Sequence, residues 1–441
     1  MAFRRLPFRR IVIPDALSAL RGRNYRIFFA AQAISMSGLW MHRVAIGWLV
    51  YRITESNSAL GVMDFCAALP VMLFTAFAGV IIERIDLRKM MIFCQTGCMI
   101  IATLMAFLTF TDLATFKIIV ALTLVRGTID AFELPSRYSL VSFLVDKKED
   151  LPNAVALNST IFNLARMIGP TFAGYIIHAV GEAICFLLNG AAYSSMILAM
   201  KKIRLEKPPI CRRDCGAKQT PVRDAIEGIR LIKSFAPDRY LLFMITLTGF
   251  FCFPSITLMP AMARTVLGGT SQTLGALLMG IAIGALVASL IMASRKSPLG
   301  LGKICSRMCI AFGLAVLVFS LAPSITTAVA LAAPVGFTMV ACTISCNSLL
   351  QLMAPPEIRS RVMSLYTLAI TGFPTFGSLT VGWLGDRVGT NWALFICGAL
   401  CAAQAFYFMK KLDGVERQIT RALINQGALH STKRRSRYVA I

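Results

Sequence analysis

The sequence predicts an all-α membrane protein, with twelve transmembrane helices in two pseudo-symmetric six-helix bundles. Composition is the first reason. Of 441 residues, 57% are hydrophobic and 15% charged, and the mean hydropathy is +0.70, too apolar for a soluble chain of this length to cover its core with polar surface. The second is patterning. Apolar runs of roughly 18 to 25 residues alternate with short polar breaks, the length that spans about 30 Å of hydrocarbon. Helices satisfy their backbone polar groups within the segment, whereas open sheets cannot do so in lipid. A membrane barrel would show short alternating segments instead of these solid runs. The third is an internal repeat, described below.

Residues 1–24 form a basic cytoplasmic segment, and Arg4, Arg5, Arg9, Arg10, Arg21, Arg23 and Arg26 precede or open the first apolar run. A cleaved signal peptide has a shorter apolar region and a small-residue cleavage site, so this run reads as a retained helix. The first bundle, 25–200, holds runs at 25–51, 58–82, 90–110, 116–136, 153–178 and 183–200. Residues 201–239 form a cytoplasmic linker, in which Val222, Ile226, Ile229 and Ile232 sit at helical spacing and predict an amphipathic helix on the membrane face. The second bundle, 240–409, holds runs at 240–263, 273–294, 304–322, 326–350, 361–384 and 391–409. A basic cytoplasmic tail, 410–441, carries Lys433, Arg434, Arg435 and Arg437; it reads as a solvated tail that can touch anionic lipid.

A net charge of +24 suggests nucleic acid until it is mapped. Under this topology roughly 37 of the 45 basic residues fall on the side of the N-terminus, against about four in the opposite loops. That bias places both termini in the cytoplasm and removes the need for a nucleic-acid partner. Most of the thirteen cysteines sit inside apolar runs (Cys66, Cys94, Cys98, Cys252, Cys342, Cys346), where they act as small apolar residues. Cys211 and Cys215, spaced by four without a second pair, and three histidines in the whole chain do not make a metal site. No cofactor is expected.

Shifting the chain by about 208 residues aligns Leu157 with Leu365, Gly169 with Gly377, Gly174 with Gly382, Gly181 with Gly389 and Gly190 with Gly398. Five pairs sharing one offset argue for duplication rather than coincidence. Matched glycines imply matched close helix contacts, and a duplicated six-helix unit is the expected form of an alternating-access carrier with its substrate at the midplane.

Three motifs follow. Gly79-Val80-Ile81-Ile82-Glu83-Arg84-Ile85-Asp86-Leu87-Arg88-Lys89 joins the second and third runs, a basic loop able to latch one state through its acid. Arg126-Gly127 opens a stretch of the fourth run reaching Asp130, Glu133, Pro135 and Arg137. The fifth run contains Asn158, Asn163, Arg166 and then Gly169-Pro170-Thr171-Phe172-Ala173-Gly174. Together these resemble the major facilitator superfamily. The first is similar to its loop signature, with Glu83 where Asp is usual and Asp86 where Gly is usual. The second is similar to the fourth-helix motif, whose arginine the family implicates in proton coupling. The third is similar to the fifth-helix motif of drug–proton antiporters, with Ala173 replacing a glycine. The stretches Trp40 to Tyr51, Ala131 to Arg137 and Leu151 to Asn158 resemble the enterobactin-exporter-like branch. The resemblance implies a fold and a transport activity; it does not specify a substrate.

An ionisable side chain at the bilayer centre costs about 2.5 kcal/mol or more and needs a partner or a cavity. His42, Arg43, Asp64, Arg126, Asp130, Glu133 and Arg166 fall within the first, second, fourth and fifth runs, while the second bundle has almost none. Asp64, Arg126, Asp130 and Glu133 are the candidate proton-coupling residues. Asp64 reads equally as a proton carrier or as a structural partner of Arg43 or Arg126. Asp130 and Glu133 follow Arg126 at helical spacing and could serve only to neutralise Arg126 and Arg137. Trp40, Arg43, Asn163 and Arg166 are candidates for the substrate cavity. Gly79, Glu83, Arg84, Arg88, Gly169, Pro170 and Gly174 are candidates for conformational control.

The sequence therefore predicts a secondary active carrier, a proton-coupled exporter of a small amphipathic molecule such as a siderophore or drug. An importer of a nutrient or iron–siderophore complex with the same fold stays open. An enzyme is not expected: there is no Ser/His/Asp set, no paired metal ligands and no Gly-x-x-x-x-Gly-Lys-Ser/Thr loop. The expected partners are the small-molecule substrate, protons and membrane lipid, the expected state a monomer, and the expected location the bacterial inner membrane.

Overall fold

A computed structural model describes residues 15–82, 85–203, 236–295, 300–354 and 356–414. The amphipathic linker segment, the basic tail and the loop residues Glu83 and Arg84 lie outside the described residues. After a short 3-10 turn, Asp15–Arg21, the first half forms six helices: α1 (Arg23–Thr54), α2 (Asn57–Ile82), α3 (Leu87–Phe110), α4 (Phe116–Leu144), α5 (Leu151–Val180) and α6 (Glu182–Lys202). In the second half α7 starts at Ala236–Cys252 and continues, through a 3-10 turn at Phe253–Ile256, to a π-turn at Met262–Val266. Then come α8 (Ser271–Ala293), α9 (Leu301–Ser320) and α10 (Ile325–Met353). α11 is made of Pro356–Thr367, a π-turn at Leu368–Gly372 and Phe373–Val388, and α12 is Thr390–Gly414.

Among the described residues nine of these segments are long and apolar enough to cross a membrane by composition alone. The segments that fall short, α1, α4 and α5, all carry internal charges, as α2 does at Asp64. Several helices outrun their apolar runs. α4 continues from 136 to Leu144 because its polar end still carries Leu140, Val141 and Leu144, buried with Tyr25, Phe28 and Leu87 in a core at the end of the bundle near the chain termini. A helix ends where its packing ends, not where the hydrocarbon does.

The repeat is visible in the packing. α3 pairs with α6 and α2 with α4 in the first bundle, as α9 pairs with α12 and α8 with α10 in the second. Gly181 and Gly389 end α5 and α11 with φ of 87° and 88°, a conformation that favours glycine. A Cβ on Gly190 would meet Thr103 of α3 at 3.1 Å, and one on Gly398 would meet Gly313 and Leu317 of α9 at 2.6 and 2.8 Å.

The bundles meet along two seams, α2 on α11 and α5 on α8. Both are tight at the face away from the termini, here the distal face. A Cβ on Gly174 would come within 2.7 Å of the Ser271 carbonyl and 3.1 Å of Gly275, and one on Gly382 within 2.6 Å of the Asn57 carbonyl. Ser271 Oγ donates to the Gly174 carbonyl at 2.9 Å, and Tyr51 Oη meets Thr265 Oγ1. Towards the terminal face α5 and α8 separate around a cavity of about 240 Å³ lined by residues including Thr160, Asn163, Arg166, Ala282, Ala285 and Ser289. Among the described residues, the close helix contacts between the bundles cluster at the distal end and midplane; a surface cleft of about 540 Å³ lies on the distal face between Arg52, Asp112 and His178 of the first bundle and Arg264 and Ser271 of the second, and the smaller cavity lies on the terminal side.

Asp386, at the end of α11, fastens this closure. Its carboxylate accepts from the Asn57 and Ser58 amides at 2.6 and 3.0 Å and from Ser56 Oγ at 2.8 Å, while Thr390 Oγ1 donates to Asn57 Oδ1 at 3.1 Å. An acid of one bundle thus caps the first turn of a helix in the other, satisfying amides that have no intrahelical partner and complementing the helix dipole. A cap of this kind contributes about 0.5–2 kcal/mol. Asp386→Ala is therefore expected to speed amide exchange at the start of α2 and the end of α11 by about fivefold, read by hydrogen–deuterium exchange. Unchanged exchange at both ends would show that the cap does not hold the seam.

Candidate functional site

The charges of the first bundle sort into three groups. The deepest is on α4, where Glu133 and Arg137 lie one turn apart and both are buried. Arg137 Nε donates to Glu133 Oε1 at 2.8 Å, its Nη2 reaches the same oxygen, and Gln95 Nε2 of α3 donates to it at 3.1 Å. Arg137 Nη1 rests on Met36 Sδ at 3.5 Å. This is a closed pair, matched in charge and shut off from the central space.

Two turns toward the distal face, Arg126 donates from Nε to Asp130 Oδ2 at 3.4 Å. Its guanidinium lies over the Tyr193 ring of α6, 5.7 Å from the centroid, and Cys98 Sγ approaches Asp130 Oδ1 at 4.0 Å. This pair is half open: the Arg126 side chain is 10% exposed and that of Asp130 27%. His42 is buried beside it on α1, edge-on to Phe186 at 5.0 Å. Gly127 lets α4 approach α2 here, since a Cβ would come within 2.7 Å of the Ala67 carbonyl and 3.1 Å of Pro70.

The third group faces the opening between the bundles. Arg43 of α1 and Arg166 of α5 both sit over the Trp40 ring, 5.1 and 5.8 Å from its centroid, and Phe162 packs edge-on against that ring at 5.6 Å. Gly169 brings α5 onto α1 at this level, where a Cβ would meet Trp40 Cβ at 2.6 Å. Arg43 and Asn163 are exposed to the open space and Arg166 is half-buried. Arg43 lies within electrostatic range of Asp130, Asp64 and Arg126.

Asp64 of α2 has a different environment from the arginine pairing considered from the sequence. It accepts from Ser378 Oγ of α11 at 2.6 Å and from Thr257 Oγ1, in the break of α7, at 3.2 Å. A Cβ on the neighbouring Gly61 would clash with the Ser378 carbonyl. Asp64 is thus an acid of the first bundle that grips the second, as Glu55 does at the end of α1 through Arg264 at 3.4 Å. The loop residues partly resolve as well. Asp86 caps α3 by accepting from the Arg88 amide at 2.9 Å, and Arg88 Nη2 donates to the Lys201 carbonyl at 3.0 Å, tying the loop to the end of α6. Gly79 is helical, with nothing within 4 Å of a Cβ placed there. Among the described residues no group of three or more His, Cys, Asp or Glu could hold a metal ion.

Residues 15–436 match the family model of transmembrane secretion effectors. The chain belongs to this family of the major facilitator superfamily. Among the curated relatives of this secretion effector is the staphyloferrin A transporter of Staphylococcus aureus, 24% identical over 66% of this chain and 72% of that protein. The multidrug efflux pump Tap of Mycolicibacterium fortuitum is 24% identical over 84% and 91%, and macrolide efflux protein A of Streptococcus pyogenes is 22% identical over 86% and 93%. The fold is shared with the nucleoside transporter NupG, at a TM-score of 0.69, 13% identity and coverage of 88% of this chain and 98% of that one. It is also shared with a bacterial homologue of the lysosomal transporter Spinster, at 0.63, 14%, 92% and 98%. The protein is a multi-pass membrane transporter with efflux-type relatives, and not an enzyme.

The closed pair gives a stability test. Glu133→Ala leaves the Arg137 guanidinium buried without its acid, which is expected to cost the folded transporter about 3 to 5 kcal/mol. The double change E133Q/R137M removes both charges and should lose less than E133A alone. Thermal unfolding in detergent reads both, and a double variant as unstable as E133A would remove the pair from the account.

Proposed function

We propose that this transporter is a proton-coupled exporter of a small amphipathic molecule, working by alternating access with both termini in the cytoplasm of a bacterial inner membrane. The positive-inside charge distribution supports the orientation. The efflux-type relatives support the direction. With the termini inside, the cavity lined by Asn163 and Arg166, with Trp40 and Arg43 packed beside Arg166, would face the cytoplasm while the distal seam is closed, the state in which an exporter loads.

The bond that carries the reading is Asp64 to Ser378 and Thr257. Both hydroxyls donate to one oxygen of the Asp64 carboxyl group, and both belong to the opposite bundle. Opening the distal seam takes both donors away, and a proton from outside replaces them. Closing the seam restores the hydroxyls and releases the proton inward. Asp130, partly exposed beside Arg126, is the second candidate acid for the coupling, while Glu133, locked on Arg137, keeps α4 in register. Gly169, Pro170 and Gly174 let α5 lie against α1 and α8 while the bundles rock; the motif from Gly79, in α2, to Arg88, in α3, would fasten the terminal side once it closes.

The test is uptake into inverted vesicles. A cargo driven by an imposed pH gradient should enter with wild-type protein. Arg126→Gln should slow it about tenfold or more with normal membrane insertion, and Asp64→Asn should leave transport that ignores the gradient. Wild-type uptake that survives collapse of the gradient would refute proton coupling, and accumulation of cargo by intact cells would refute export.

A further inference from the structure

The arrangement of arginines says more about the cargo than its direction of travel. Away from the helix ends, the first bundle carries four guanidinium groups. Two have acids of their own, Arg137 on Glu133 and Arg126 on Asp130. The other two, Arg43 and Arg166, share the Trp40 ring, and among the described residues neither forms an ion pair. The acids nearest Arg43 are already engaged, Asp130 by Arg126 and Asp64 by the hydroxyls of Ser378 and Thr257. Nor does the second bundle supply a counter-charge: the described acids of its membrane segments, Asp238 and Asp386, sit at the ends of α7 and α11. Arg43 therefore has Asp130 and Asp64 within electrostatic range but is bonded to neither, and Arg166 has no ion-pair partner among the described residues, in a region where charge requires compensation.

Resting on the exporter reading above, we infer that the cargo is a polycarboxylate anion, with one carboxylate seated on Arg43, another on Arg166 and its connecting chain along Trp40. A guanidinium presents a planar fork that matches a carboxylate, a geometry an ammonium lacks. Both guanidinium groups stand over the same indole, 5.1 and 5.8 Å from its centroid, so one small molecule lying along Trp40 can meet both. The face of Trp40 holds the cations by its own electron density, orienting both while leaving their N–H donors free. The cavity beside Arg166 adds hydrogen-bonding groups, Thr160 and Asn163 from α5 and Ser289 from α8, which suit hydroxyl or amide groups on the connecting chain. Ala282 and Ala285 on the α8 wall leave it room. An inside-negative membrane potential favours outward movement of such an anion.

Binding is measured on the purified full-length protein by intrinsic tryptophan fluorescence, with citrate and tricarballylate as probes and trimethyl citrate as the uncharged control. Saturable quenching by the acids and not by the ester is expected. Arg43→Gln and Arg166→Gln should each weaken citrate binding about tenfold or more, and Trp40→Phe should abolish the signal change. Arg166→Lys, which keeps the charge and the fold, should weaken binding less than R166Q. Equal binding of acid and ester by the wild-type protein, or no binding of either acid, would overturn the inference without requiring any variant to fold. Binding is read without flux: citrate binding with inward transport would sink the exporter reading and leave this one standing, whereas proton-driven efflux of an uncharged cargo with no citrate binding would do the reverse.

Discussion

A charged group in hydrocarbon must find a partner or a water-filled space, and the first bundle is organised around that requirement. Glu133 and Arg137 solve it by closing on each other, with Gln95 completing the shell. Arg126 and Asp130 solve it partly, leaving one side open. Arg43 and Arg166 lean on an indole, and Asp64 reaches across to the hydroxyls of the other bundle. Progressing from closed pair to open cation follows the path from the packed interior of the bundle to the space between the bundles. Charge that is satisfied inside one bundle gives stability; charge left for the space between them can be satisfied differently in different states.

The second bundle answers with backbone rather than charge. Where α1, α2, α4 and α5 run unbroken, α7 passes through a 3-10 turn and a π-turn, and α11 through a π-turn. Breaks of this kind are tolerated at membrane depth where they line a cavity or are buried in protein. They put Thr257 beside Asp64, while Ser378 follows the α11 break by nearly two turns. The duplication therefore supplies a common frame, and the two copies have specialised: one holds the ionisable groups, the other holds the joints against which they work.

The architecture was legible in the sequence because it depends on local quantities. Run length, the fixed offset of the glycines and the confinement of charge to the first half each survive into the packing; Gly181 and Gly389 take nearly the same φ because each ends the equivalent helix. Parts of the site were legible for the same reason. Arg126 with Asp130 and Glu133 with Arg137 are neighbours on one helix face. Trp40 and Arg43 are a turn apart on another. What could not be read was contact between distant segments. Asp64 meets partners 193 and 314 residues away, and Asp386, which no motif singled out, caps a helix that begins more than 300 residues earlier. Short-range spacing carries no information on which bundle faces a side chain, so a carboxylate that bridges two bundles looks the same in sequence as one that pairs within its own.

The account stands or falls on whether the two bundles pivot about the distal seam while the charged face stays between them. Spin labels on Thr160 of α5 and Ser289 of α8, in a background whose native cysteines are replaced, report the terminal-side gap; a second pair on Ser58 and Arg387 reports the distal side. Pulsed dipolar distances in lipid nanodiscs should show two populations, one with the terminal pair far and the distal pair near, the other reversed, with acid pH shifting their ratio. A single population at both pairs across that pH range, or pairs that lengthen together, would contradict it.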